Sequence, residues 1–377
     1  MNRTILKLMT LVAVFIQLNS CSSDNDTGSY VTPEQENDGI STASASEIGA
    51  DVGILNKISV RNQNGTYQNV HSVLLAVNND LIFEEYFPGK PIYEPETDWN
   101  KHTIHRLHSV TKSYNSALIG IAIDQYGLSL NDPVKDFFPE IDESNWEGQK
   151  SNITVRHLLI MSSGLQWDEW SFSYDDPRND HYQMYNSDNW VHFVLQQPMA
   201  TSPGSQFLYN SGLSITLGEI IRRKTGQDAG LFAQNHLFRP MGINNIQWDT
   251  SPFGIFQTGG GLSLRSRDML KFGLLFLNKG NWNGEQIISE EWTIASSRTQ
   301  GPNRGYSYQW WLAQYLVDGI TYNAYLAAGR GGQYIIVIDR LQLVAVFTAG
   351  NDNALATTQT REMMMELVIP AVAKVFD

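Results

Sequence analysis

Strand-like sequence lies at both ends of this chain, with breaker-rich helical sequence between, and that arrangement most constrains the fold. Val70–Val77 and residues 81–87 are rich in aliphatic and aromatic residues. Asn78-Asn79-Asp80 separates them, a turn signature, so the two runs read as an antiparallel hairpin. Residues 322–327, 333–339 and Leu343–Ala349 repeat the pattern near the C-terminus, and an amphipathic helical stretch follows over 358–375. From about residue 130 to 255 the sequence is helical segments and loops, punctuated by Asp132-Pro133, Gln197-Pro198 and Arg239-Pro240. Strands from both ends can then close one sheet. The expected class is α+β: an antiparallel β-sheet flanked by helices, built from residues 49–130 and 255–377, with an inserted, mostly α-helical domain over 131–254. A cleft between the two parts is where a ligand would lie.

The chemistry-bearing feature is a serine three residues before a lysine, in Leu107-His108-Ser109-Val110-Thr111-Lys112-Ser113. On a helix, residues at i and i+3 share a face, with Cβ atoms roughly 5–6 Å apart. An amine at that distance can take the hydroxyl proton as the oxygen attacks a carbonyl. Tyr114, Ala117, Leu118, Ile121, Ala122 and Ile123 are apolar nearly all round the helix, which ends at Gly127. Such a helix is buried, and burial disfavours the charge a lysine carries in water at pKa ~10.4. The ordinary alternative is a helix start with Ser109 as its cap and Lys112 reaching out to solvent.

The first fifty residues carry a different message. Arg3 and Lys7 precede an apolar run over 8–18, and small residues lead to Cys21, the only cysteine. Residues 1–20 read as an export signal too short for a stable membrane span. A single cysteine allows no intrachain disulfide. Residues 21–48 are rich in Ser, Thr, Asp, Glu, Asn and Gly, with no Lys or Arg between Lys7 and Lys57, and are expected to form a flexible acidic tether. Removing residues 1–20 takes away two cations and moves the formal charge from −13 to −15. That balance argues against nucleic acid as a partner, since phosphate binding needs clustered Lys and Arg.

Three further segments stand in order with the Ser109–Lys112 pair. Ile153-Thr154-Val155-Arg156-His157-Leu158-Leu159 with Ser162-Ser163-Gly164-Leu165 opens the helical region. Pro203-Gly204-Ser205-Gln206-Phe207-Leu208-Tyr209-Asn210-Ser211-Gly212 puts a tyrosine just before a helix. Ala327-Ala328-Gly329-Arg330-Gly331-Gly332-Gln333 joins two C-terminal strands. Together they resemble the serine β-lactamase and penicillin-binding-protein superfamily, above all its class C-like esterases, D-amino-acid peptidases and nylon-oligomer hydrolases, over residues 50–375. Cys21 after its export signal resembles the lipobox of bacterial lipoproteins. Residues 22–26 also resemble the acidic signals that send some lipoproteins to the cell surface.

The resemblance implies an exported serine hydrolase acting on a small ester or amide and anchored by lipid at Cys21 to the outer membrane, on its periplasmic or cell-surface face. Ser109 would be the acylated nucleophile, Lys112 its proton partner and Tyr209 the second acid–base group. The backbone N–H groups of Ser109 and Arg330 would form the oxyanion hole. Asn210, Ser211, Gly329 and Gly331 would meet substrate, and no metal or organic cofactor is implied.

Two departures bear on the substrate. Where relatives have Tyr-x-Asn, this chain has Tyr209-Asn210-Ser211. Where β-lactamases and DD-peptidases carry Lys or His, then Ser or Thr, then Gly, it has Ala327-Ala328-Gly329. The cation and hydroxyl that would hold a substrate carboxylate are missing, with Arg330 at the next position the one charge that could stand in for them, which ranks simple esters and short amides above β-lactams. A true β-lactamase, a D-amino-acid peptidase, or a penicillin-binding or sensing module that turns over poorly stands as the alternative. An α/β-hydrolase is disfavoured, because no Gly-x-Ser-x-Gly elbow occurs. His102, His105 and His108 recur every three residues, but ahead of the helix, where that spacing does not gather metal ligands. Trp167, Trp170, Phe172, Tyr174, Tyr182, Tyr185 and Trp190 either line a pocket or pack within the helical region.

Overall fold

The structure, a computed structural model, describes residues 30–92 and 97–376. The strands are β1 (Ser41–Thr42), β2 (Val70–Val77), β3 (Asp80–Tyr86), β4 (Ile104–Arg106), β5 (Gln247–Trp248), β6 (Leu262–Arg265), β7 (Asn281–Trp282), β8 (Glu285–Gln286), β9 (Trp311–Val317), β10 (Ile320–Gly329), β11 (Gln333–Ile338) and β12 (Leu343–Ala349). The main sheet has seven strands in the order β1-β3-β2-β12-β11-β10-β9. Its N-terminal hairpin joins the C-terminal strands through β2 and β12, antiparallel, with Leu343 opposite Val77. Only the short edge pair β1–β3 is parallel. The sheet is therefore closed by both ends of the chain, as the placement of the strand-like runs requires.

The helices are α1 (Val52–Gln63), α2 (Thr111–Tyr126), α3 (Val155–Leu159), α4 (Asp180–Tyr185), α5 (Trp190–Gln196), α6 (Ser211–Thr225), α7 (Ala229–Ala233), α8 (Ser266–Leu277), α9 (Glu290–Ser296), α10 (Asn353–Met363) and α11 (Ile369–Ala373). They cover both faces of the sheet. On β12, Val344 and Val346 enter the core shared with α2, α6 and α8, while Leu343, Ala345 and Phe347 enter the core under α1 and the C-terminal helices. Strand alternation thus sends successive apolar residues into two cores, so the central strands read as unbroken apolar runs. The expected C-terminal helix starts at Asn353, passes through one π-turn at Met364–Val368 and resumes at Ile369, next to Pro370.

The N-terminal region differs from the expectation. Residues 1–20 and Cys21 lie outside the described residues. The tether expected over 21–48 does not extend through the described part, because from Tyr30 onward the chain packs against the domain. Ile40 and Ala45 are buried, the Tyr30 hydroxyl donates to the Ile82 carbonyl at 2.8 Å, and β1 pairs with β3. Arg267, itself buried, donates to Glu84, to Asp38 at 3.1 Å and to the Glu34 carbonyl at 2.8 Å. A few well-placed partners order a segment whose average composition reads as tether.

Candidate active site

Three segments converge on one cavity of about 510 Å³, lined among others by His108, Ser109, Ser211, Gly259 and Arg330. The first is the entry to α2. Leu107 pairs with Leu262 at 2.8 Å. His108 then takes a left-handed φ of +48°, and a 3-10 turn over His108–Val110 leads into the helix. A bulky residue held at positive φ costs on the order of 1–3 kcal/mol and persists only where its surroundings enforce it. Here it presents Ser109 to the cavity. Every residue of α2 from Thr111 to Ala122 is buried, and Gly127 closes the helix with φ +65° and its N–H on the Ala122 carbonyl.

Lys112 does not reach solvent: only 2 % of its surface is exposed. Its amine lies 3.1 Å from Ser109 Oγ, 3.0 Å from Ser211 Oγ and 2.5 Å from the Gly259 carbonyl oxygen. Those three partners use all the directions that a lysine nitrogen offers. Gly259 belongs to the loop after β5, where its N–H is held by Gln257 Oε1 at 2.8 Å.

Helix α6 supplies the second segment. Asn210 is its cap, the side-chain oxygen accepting from Leu213 N at 3.2 Å. Ser211 follows at the first helical position, where its N–H has no partner within the helix. That N–H donates to Glu169 Oε2 at 2.7 Å, and the Ser211 hydroxyl donates to Glu169 Oε1 at 2.7 Å. Glu169 is 2 % exposed and also accepts from Trp167 Nε1 at 2.6 Å and the Tyr174 hydroxyl at 3.1 Å. A carboxylate at the N-terminus of a 15-residue helix sits where the helix dipole favours it. A continuous hydrogen-bonded line therefore runs from Ser109 through Lys112 and Ser211 to Glu169.

Tyr209 reaches Lys112 by its ring, whose centroid is 4.9 Å from the amine. The ring stacks with Trp170 at 5.1 Å and with Trp311 at 6.0 Å. The Tyr209 hydroxyl is not among the three partners of the amine.

The third segment is the corner after β10. A Cβ added at Gly329 would collide with the Leu107 carbonyl oxygen, so glycine permits the corner to press against the entry to α2. Gly331 has φ +92°, and its carbonyl accepts from Asn351 N at 3.0 Å. The Arg330 guanidinium lies 5.3 Å from the Tyr174 ring centroid. From the helical region Tyr174, His181, Tyr182 and Tyr185 complete the wall. Burial pushes the His181 imidazole down to about 4 and the His108 imidazole to about 3. Both rings are therefore neutral partners at pH 7.

Of the residues singled out in the sequence, Ser109, Lys112, Tyr209, Ser211 and Arg330 gather here, and Gly329 and Gly331 shape the corner. Asn210 is 1 % exposed and spends its oxygen on the helix cap. His105 points away, into a buried pair with His71, its Nε2 2.9 Å from His71 Nδ1. Of the aromatic stretch, Tyr174, Tyr182 and Tyr185 line the cavity, whereas Trp167 and Trp190 are buried. Glu169 belongs to none of the sequence motifs. Its signal is an acid placed between two tryptophans in Trp167-Asp168-Glu169-Trp170.

A family model described as Beta-lactamase matches residues 69–363, well over half the chain. The chain belongs to the beta-lactamase family. It is 24% identical over 233 residues to the 6-aminohexanoate-dimer hydrolase of Paenarthrobacter ureafaciens, covering 55% of this chain and 57% of that one. It is 25% identical over 184 residues to esterase EstB of Burkholderia gladioli, covering 47% and 46%. The chain spans about half the length of these curated relatives. The octameric penicillin-binding protein homologue from Pyrococcus abyssi shares the fold, with a TM-score of 0.62 at 18% identity over 86% of this chain and 80% of that one. Fold and family thus agree with the α+β expectation for this beta-lactamase family member.

Proposed function

We propose that the chain is an exported serine hydrolase that cleaves a small ester or short amide through an acyl-Ser109 intermediate. The observation that carries this reading is the buried Lys112 amine 3.1 Å from the Ser109 hydroxyl. Lys112 takes the Ser109 proton as Oγ bonds to the substrate carbonyl carbon, and the backbone N–H groups of Ser109 and Arg330 receive the developing oxyanion. The carbonyl–heteroatom bond breaks as the leaving group takes a proton. Water then hydrolyses the Ser109 ester by the same route in reverse, and no metal or organic cofactor is called for. Tyr209, packed against the amine, is the proposed second acid–base group. Its hydroxyl bonds none of the described residues in the resting site and must turn toward the leaving group once substrate is bound.

The relatives support ester and amide chemistry alike, one being named an esterase and another a dimer hydrolase. The motif Ala327-Ala328-Gly329 favours esters and short amides over β-lactams. Ala327 and Ala328 offer neither the cation nor the hydroxyl of that motif, and the cations that line the cavity are instead Arg106 and Arg330. Purified protein is expected to turn over short nitrophenyl esters at least 10²-fold better in kcat/KM than a chromogenic cephalosporin, and Ser109→Ala is expected to abolish ester turnover. A stoichiometric burst without steady turnover would instead indicate an acylating sensor.

Export and anchoring belong to the same proposal, through residues 1–20 and Cys21. Incorporation of labelled palmitate, lost in Cys21→Ser, tests them.

A further inference from the structure

We propose that Glu169 sets the protonation state of Lys112 through Ser211, acting as the positioning residue that readies the amine to accept the Ser109 proton. The proposal rests on the acyl-Ser109 reading above and adds a proton route to it. Three distances carry it: Lys112 Nζ to Ser211 Oγ at 3.0 Å, Ser211 Oγ to Glu169 Oε1 at 2.7 Å, and Lys112 Nζ to Ser109 Oγ at 3.1 Å.

The polarity of this line is fixed by its ends. Glu169 Oε2 is held by the Ser211 N–H and the Trp167 N–H. Oε1 accepts from the Ser211 hydroxyl at 2.7 Å and, at a longer 3.1 Å, from the Tyr174 hydroxyl, so Ser211 gives its proton to the carboxylate and leaves its oxygen lone pairs toward Lys112. An ammonium at Lys112 donates to Ser211, to Ser109 and to the Gly259 carbonyl, and in that state it cannot accept a proton from Ser109. Moving one proton from the ammonium to Ser211 Oγ, while Ser211 passes its own to Glu169 Oε1, changes no total charge. It leaves a neutral amine with a lone pair toward Ser109 and a neutral carboxylic acid at Glu169. When Oγ attacks, its proton returns the amine to ammonium, and that proton leaves with the departing group. Glu169 keeps its own proton until the acyl group has been hydrolysed. One buried carboxylate and one buried amine thus share a single proton, which two isolated buried ions could not do at comparable cost.

Six further groups with a proton or charge face this pair: Tyr174, Tyr306, His181 and Asp180 around Glu169, and Tyr209, His108 and again His181 around Lys112. Burial holds the His108 and His181 rings neutral above about pH 4 and pushes the Tyr174 and Tyr306 phenols up. None of those four supplies a second proton acceptor in line with Ser211. Asp180 is engaged by the Asp168 N–H at 2.6 Å.

The test measures the rate at which a serine-directed phosphonate labels Ser109 between pH 5 and 10, in the full chain and in Glu169→Gln and Ser211→Ala. With the line intact, one proton on the pair is compatible with activity, so the acid limb reports the arrival of a second. Without the carboxylate or the hydroxyl link, the amine must lose its proton to solvent before it can act. Both variants are expected to label at least 30-fold more slowly at pH 7, with the acid limb moved at least one unit to higher pH and the rate recovering to within tenfold of the parent near pH 9.5. A role in holding the fold alone would lower the rate equally at every pH, and an unmoved limb in both variants would overturn the proposal. Should Glu169→Gln fail to fold, Ser211→Ala, which keeps the backbone bond to Glu169, decides it. Absence of labelling in the parent chain would instead contradict the acyl-Ser109 reading.

Discussion

Lys112 and Ser109 stand three residues apart, one on the first turn of a buried helix and the other in the 3-10 turn that feeds it, with 3.1 Å between amine and hydroxyl. Burial alone would make this lysine costly. What offsets the cost is the set of acceptors around it: the Ser211 hydroxyl, the Gly259 carbonyl and, one link further, the Glu169 carboxylate. The same acceptors aim the nitrogen at Ser109, so the arrangement that makes the lysine tolerable also makes it useful.

Replacing Lys112 by methionine keeps most of the side-chain volume and removes the amine. Ester kcat/KM is expected to fall by about 10²–10⁴, the usual scale for a general base. A loss of less than threefold would show that another group takes the Ser109 proton.

Tyr209→Phe separates the ring from the hydroxyl. The ring packs between Trp170 and Trp311 and against the Lys112 amine, and phenylalanine retains those contacts. A drop in kcat of about 10²–10⁴ with an unchanged melting temperature is expected if the hydroxyl moves protons. Near-parental kcat would confine Tyr209 to packing.

Gly329→Ala tests the strand corner. The added methyl would meet the Leu107 carbonyl, part of the backbone that presents Ser109, and backbone cannot swing aside as a side chain does. Destabilisation of about 1–3 kcal/mol is expected in urea titration, with ester turnover reduced more than stability alone explains. Parental turnover in a stable variant would mean that this close approach does not shape the site.

The buried pair His71 and His105 makes stability depend on pH. Burial, first of all, lowers their pKa values to about 3 and about 4, and the neighbouring His105 lowers that of His71 further. The unfolded chain binds these protons near the ordinary value of ~6.5, so the folded form is favoured above that pH. The contribution shrinks as pH falls from ~6.5 toward 3–4, by on the order of a few kcal/mol. Urea midpoints should decline across that window, and His71→Phe should flatten the decline. An equally steep decline in the variant would assign the acid sensitivity to other groups.

Much of the fold is legible in the sequence, because its signals are local. The apolar runs at 70–77 and 343–349 become the two strands that join the chain's ends, and Gly127 ends α2 where the apolar pattern stops. The Ser109–Lys112 pair is legible for the same reason, since helix spacing and all-round apolarity are properties of adjacent residues. What the sequence conceals depends on partners far along the chain. Glu169 matters because α6, some forty residues later, brings Ser211 to it. Residues 30–48 look like tether because their anchors, Ile82 and Arg267, belong to distant segments. Helix α1 passes unnoticed because it buries only Leu55, Ile58 and Ser59, with no strong apolar stripe. Asn210 reads as a substrate contact, whereas it is buried and its side-chain oxygen caps its own helix.

The central claim is that Ser109 forms a covalent acyl intermediate, and mass spectrometry of phosphonate-treated protein tests it most directly. The account predicts one added phosphonyl group per chain, located on the peptide containing Ser109, and none in Ser109→Ala. An adduct on another residue, or equal labelling of the Ser109→Ala chain, would contradict it.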